Sequence, residues 1–85
     1  MIIECKIEER GNGWPNVGDY CAGGGELFRV VSIESTIHTP ASPGAPEWRY
    51  GAVEWADWED CPESDQHSAA VVALLPSTMR SPTEA

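Results

Sequence analysis

Three kinds of side chain in this 85-residue sequence are able to do chemistry: three cysteines, two histidines and a dense run of carboxylates. Cys5, Cys21 and Cys61 are potential nucleophiles or metal ligands, and His38 and His67 are the only imidazole bases. The carboxylates concentrate in Glu54–Asp65, EWADWEDCPESD, which holds six acids, two tryptophans and no basic residue.

Each group has a chemical reading and a plainer one. Zinc would have to gather the three cysteines and a histidine from the whole length of the chain, with no C-x-x-C pair to begin the site. Free buried thiols are favoured over that by on the order of ten to one. Asp57, Glu59, Asp60, Glu63 and Asp65 offer oxygen ligands of the kind calcium takes. The glycine that a calcium loop needs at its sharp bend is missing, however, and Cys61-Pro62 stands there instead. His67 beside Asp65 has the composition of an acid–base pair, but an exposed surface histidine is the commoner case. Gly23-Gly24-Gly25 lacks the lysine and following helix of a phosphate loop. No nucleophile elbow or paired zinc motif is present. The expectation is a protein that is not an enzyme and that needs no metal or cofactor.

The carboxylate run is then better read as a surface. The formal net charge is −9, with 14 acidic and 5 basic side chains. Such a chain repels phosphate backbones and anionic lipid and favours a basic protein surface as partner. Between Arg49 and Arg80 there is no lysine or arginine, and all six acids of that interval fall between Glu54 and Asp65. Scattered charge would serve solubility, whereas clustering costs stability by self-repulsion and so points to use. Twelve extended residues span roughly 40 Å, or one charge per ~6.6 Å. A DNA duplex carries one per ~1.7 Å, so the run imitates a duplex only if other acids fold beside it. Glu4, Glu8, Asp19, Glu34 and Glu47 are the candidates. Trp55 and Trp58 either anchor the core, the reading favoured about two to one for large aromatic rings, or project as anchors within an acidic rim.

These residues must be held by a small scaffold. A chain of this length makes one thin-cored domain, and burial of its four tryptophans would enlarge that core. From Ile3 to Ile7 apolar and charged residues alternate, the period of a strand with one buried face. Glycines at 11 and 13 break it. Pro15–Tyr20 reads as a turn into a short strand, and Gly23-Gly24-Gly25 as a hairpin tip. Glu26–Thr39 carries the strongest strand pattern. The loop Thr39–Pro46, TPASPGAP, follows, then a return strand from Glu47 with Trp48, Tyr50 and Ala52 on one face and Arg49, Val53 and Trp55 on the other. Ser68–Leu75 is a last strand stopped by Pro76, and residues 76–85 form a frayed tail. The expected fold is mainly β: one domain, residues 1–75, with an antiparallel sheet of four or five strands curled into a small barrel. No apolar run is long enough to span a membrane and the first ten residues do not form a signal peptide, so a cytoplasmic protein with reduced thiols is expected.

The run V-G-D-Y, then a glycine-rich turn and L-F-R-V-V, resembles the opening hairpin of small Src-homology-type barrels. The resemblance covers Val17–Val31 and implies a fold, since such barrels serve unrelated functions. In size, acidity and lack of catalytic residues the chain is also similar to small phage-encoded inhibitors, the anti-CRISPR proteins in particular. That resemblance is one of type and covers no aligned segment. It implies binding to a CRISPR effector complex and interference with target-DNA recognition.

Two functions therefore stand. One is an acidic inhibitor that occupies a basic nucleic-acid-binding surface of another protein, contacting it through Glu54, Asp57, Glu59, Asp60, Glu63 and Asp65 with Trp58 as anchor. The other is a β-barrel adaptor or accessory protein of a phage or other assembly. There the Thr39–Pro46 arm or a sheet edge makes the contact and the acids only solvate.

Overall fold

The computed structural model describes residues 1–61 and 66–75. Five strands, β1 (Ile2–Glu8), β2 (Tyr20–Gly23), β3 (Glu26–Ile33), β4 (Trp48–Ala56) and β5 (His67–Leu75), close into a barrel in the order β1-β4-β3-β2-β5. The mainly β, small-barrel expectation holds. The sheet is antiparallel at every seam but one: β2 runs parallel to β5, through Cys21↔His67 and Ala22↔Ala70. The tail expected over 76–85 lies outside the described residues.

Alternation along β1 sets the inside of the barrel. Cys5 and Ile7 point inward and are fully buried, while Glu4, Lys6 and Glu8 face out. Across the sheet the inward set continues with Val53, Val30, Phe28, Cys21, Ala69 and Val71, and Ile3 and Ile33 pack against its margin. The hairpin between β2 and β3 turns on Gly24 and Gly25, with φ of 59° and 84°. Two consecutive positive φ values define the tight turn whose twist suits paired strands, and glycine adopts them without a steric cost.

Two features depart from the sequence reading. First, the strand expected over Glu26–Thr39 stops at Ile33. A bulge between Val30 and Ser32 reverses the inward parity, from Phe28 and Val30 to Ile33. Beyond Ile33 the backbone pairing with β4 is the Glu34 N–H on the Tyr50 carbonyl, 2.8 Å, and an isolated bridge between His38 and Trp48. Second, no tryptophan enters the core: Trp55 and Trp58 are each 50% exposed, and Trp14 and Trp48 are half-buried. A five-stranded barrel has too narrow an interior for an indole. Gly51 shows the limit, since a Cβ there would stand 2.7 Å from the Ser32 carbonyl oxygen and 2.8 Å from Ile7 Cδ1. Leu27 is also fully buried, on the parity opposite to Phe28 and outside the core cluster, so the first half of β3 is buried on both faces; Cys61 too is buried outside the cluster.

A second bulge, in β5 against β1, places Ala73 at φ 50°. The left-handed region costs a residue with a Cβ about 1–2 kcal/mol, against about 0.5–1 kcal/mol for the extra backbone entropy that glycine loses on folding. Ala73→Gly is therefore expected to raise the melting temperature by about 2–6 °C in a thermal circular-dichroism scan. A fall would mean that the Ala73 methyl packs to an advantage that outweighs its backbone strain.

Candidate functional site

The acidic–aromatic run leaves the barrel wall after its third residue, Ala56. Glu54 and Trp55 belong to β4, and Trp58–Asp60 form a single 3-10 turn introduced by Asp57. The turn is closed by the Asp60 N–H on the Asp57 carbonyl, 3.0 Å. Asp57 makes no side-chain cap on it, so its carboxylate is directed elsewhere. Asp57, Trp58, Glu59 and Asp60 are all exposed, and Cys61 re-enters the protein directly afterwards. Trp55 lies two residues before the turn with its ring on Phe28, centroids 4.7 Å apart and planes tilted by 39°. One face of that indole thus closes the end of the core, and half of its surface remains in solvent.

The expected contact residues divide into three sets. Asp57, Trp58, Glu59 and Asp60 are brought together in the turn. Glu54 faces outward from β4 and is bound by Arg29 of β3, whose Nε donates to Glu54 Oε1 at 2.8 Å and whose Nη2 also donates to it. The hydrogen bond and charge of Glu54 hold the Arg29 guanidinium more firmly protonated than usual. Glu63 and Asp65 lie outside the described residues.

The other acids proposed to extend the negative face are mostly occupied where they stand. Glu8 pairs with Arg10. Glu9, not one of those candidates, accepts the Gly11 N–H at 2.6 Å and the Gly13 N–H at 3.0 Å, which lowers its pKa and shapes the loop after β1. Asp19 accepts the Asn16 N–H at 2.8 Å, and Glu47 accepts the Thr39 hydroxyl at 3.1 Å. Glu4 and Glu34 also have partners. Among the described residues, Asp57, Glu59 and Asp60 carry neither an ion pair nor a side-chain hydrogen bond.

The sequence reading missed an aromatic patch on the outer wall. His38 stacks on Trp48, centroids 4.2 Å apart and planes within 11°, and Tyr50 meets both rings edge-on. Lys6 Nζ stands 4.1 Å from the centre of the Trp48 ring. The shared parity of Trp48 and Tyr50 was visible, but their meeting with Lys6 and His38 depends on the register Lys6↔Tyr50 and on the His38↔Trp48 bridge. The patch pins the base of the arm that contains Thr39–Pro46, through paired backbone bonds of 2.8 and 3.0 Å between His38 and Trp48.

The cysteines have no chemical setting. All three are buried thiols, and burial pushes the Cys5 thiol up to about 12 and that of Cys21 to about 11, where neither supplies a thiolate near neutrality. Among the described residues no three of His, Cys, Asp and Glu gather into a group that could hold a metal ion. No helix among them is long and apolar enough to cross a membrane. Compared with protein-family models, with curated proteins and with solved structures, the chain matches none.

Proposed function

We propose that this protein is an acidic inhibitor that docks its Trp55–Asp60 end on a basic, nucleic-acid-binding surface of another protein and so blocks DNA recognition. A CRISPR effector complex is the target that its similarity in type to anti-CRISPR proteins implies. The observation that carries the reading is the pairing of two half-exposed indoles, Trp55 and Trp58, with three carboxylates that have no partner among the described residues. An aromatic anchor within a charged rim is the anatomy of a binding hot spot. A partner arginine could stack on an indole while pairing with Asp57, Glu59 or Asp60.

The test is retention of proteins from a cytosolic extract on the immobilised protein. The wild type is compared with a triple variant, Asp57→Lys, Glu59→Lys and Asp60→Lys. The wild type is expected to hold nucleic-acid-binding proteins, to release them when duplex DNA or salt is added, and to lose most of them in the variant. Undiminished retention by the variant, with a flat salt dependence, would sink the charge-based mechanism.

The adaptor reading keeps one specific support. The arm projecting between β3 and β4 is exposed from Ala41 to Ala45, while its base is fixed by the His38–Trp48 stack. Deleting residues 41–45 should abolish retention under that reading and spare it under the first.

A further inference from the structure

The seam between β2 and β5 does not stay closed along its whole length. Pairing ends at Ala22↔Ala70, after which β5 bulges at Ala73 and continues against β1 alone, ending at Glu4↔Leu75. Between the β2–β3 hairpin and the end of β5 lies a cavity of about 300 Å³. Gly23, Gly24, Phe28 and Val71–Leu74 line it. None of these residues has a polar side chain, and Leu74 is 40% exposed at the site. The left-handed Ala73 is the only positive-φ residue other than glycine among the described residues, and it lines this cavity. Backbone strain of that kind collects where a fold is shaped for use.

The surroundings of the cavity are acidic. Phe28 carries the Trp55 ring, two residues before Asp57, and the register Leu27↔Ala56 sets the acidic turn beside the hairpin. Glu26, exposed at the hairpin, adds a further charge. Among the described residues the cations near this end are Arg29, already bound by Glu54, and the amino group of Met1. The cavity is at the small limit for a ligand site and suits one aliphatic side chain.

Resting on the acidic-inhibitor reading above, we propose that this cavity receives one aliphatic side chain from a basic segment of the partner, whose flanking arginines or lysines meet Asp57, Glu59, Asp60 and Glu26. The acids would then supply attraction and orientation, and the cavity would select which basic segment is held.

Three short capped peptides test it against the whole chain: Arg-Arg-Leu-Arg-Arg, the same peptide with serine for leucine, and Gly-Ser-Leu-Ser-Gly. Binding is followed by amide chemical shifts at low salt. The leucine-containing basic peptide is expected to bind roughly ten- to a hundredfold more tightly than the serine one, the range for burying one aliphatic side chain. It should move the amides of Gly23, Gly24 and Val72–Leu74. Leu74→Ser should remove that advantage while leaving the serine peptide's binding unchanged, and native circular dichroism confirms that the variant folds. Equal binding of the two basic peptides, with shifts confined to the acidic turn, overturns the cavity's role and leaves the acidic docking face standing. Binding of neither basic peptide removes both. Equal binding of the neutral leucine peptide overturns the basic character of the occupant. Concentration-dependent dimerisation abolished by Leu74→Ser would show that a second copy of this chain fills the cavity instead.

Discussion

Gly23→Ala is expected to destabilise the fold by about 3 kcal/mol or more, the upper range for forcing an extra carbon into a packed site. A Cβ at Gly23 would stand 2.0 Å from the Val71 carbonyl oxygen, 2.9 Å from the Val71 carbonyl carbon and 3.0 Å from Val71 Cβ. Two of those atoms are backbone, so no rotamer change relieves the clash. Either β2 moves away from β5 or the barrel opens at its parallel seam, which has only two paired positions. A chain of this length has roughly 4–13 kcal/mol of stability in all. Urea denaturation should therefore show a large drop in midpoint or no cooperative transition. Gly24→Asn is the matched control. A Cβ there meets nothing within 4 Å, and asparagine tolerates the φ of 59°. Equal stability of the Gly23→Ala variant and the wild type would mean that β2 and β5 are not held together as described.

The second large effect is alkaline. Cys5 and Cys21 have thiol pKa values raised from 9.0 to about 12 and about 11, chiefly by burial, with the neighbouring Cys21 adding for Cys5 and Asp19 for Cys21. Raised values mean that the folded state holds its thiol protons while the unfolded chain releases them. Stability from these groups is fully present below pH 9 and falls as pH rises from 9 toward 12. At pH 11 the two together should cost roughly 3–5 kcal/mol, a large part of the total. The urea midpoint should fall steeply over that interval. A Cys5→Ala, Cys21→Ala variant, weaker at neutral pH from the lost packing, should show a flatter dependence. A wild-type midpoint that does not move between pH 9 and pH 11 would contradict the burial of both thiols. At neutral pH the same burial should keep Cys5, Cys21 and Cys61 silent to thiol reagents until the protein unfolds.

How much of this was legible in the sequence follows the physics of each feature. Local patterns were readable: the alternation around Cys5 and Ile7, the glycines at the β2–β3 turn, and the short apolar run of β5 all act through near neighbours. The barrel itself followed from strand number and turn chemistry. Bulges were not readable, because Val31 is an ordinary β-branched residue and only its pairing against β4 shows the slip that ends β3 early. Tryptophan burial was misjudged because side-chain area argues for the core while barrel radius argues against it, and composition reports only the first. The acidic run was read as one stretch from Glu54 to Asp65, and the structure gathers only its middle, Asp57–Asp60, into one turn. Glu54 is different in kind, since its neutralisation by Arg29 depends on a contact between residues 25 positions apart. The aromatic patch around Trp48 and the apolar cavity beside Gly23 are likewise products of register. Neither has a local sequence signature.

The charge geometry changes what mimicry can mean for this protein. A duplex-like surface requires many acids free at once, and most of those proposed to stand beside the run are satisfied by their own neighbours. Among the described residues, what remains is a compact anionic point with aromatic flanks. It fits recognition of a few basic side chains better than imitation of a long phosphate backbone.

Keeping every indole out of the core also gives the protein an optical property. Trp55 and Trp58 are half in water while the protein is folded, so its native fluorescence already reports a polar surrounding, and unfolding will change the emission less than in a protein with a buried indole. Docking at the barrel's acidic end would desolvate these two rings directly. Emission from the unlabelled chain is thus a better signal for occupancy of that face than for the integrity of the fold.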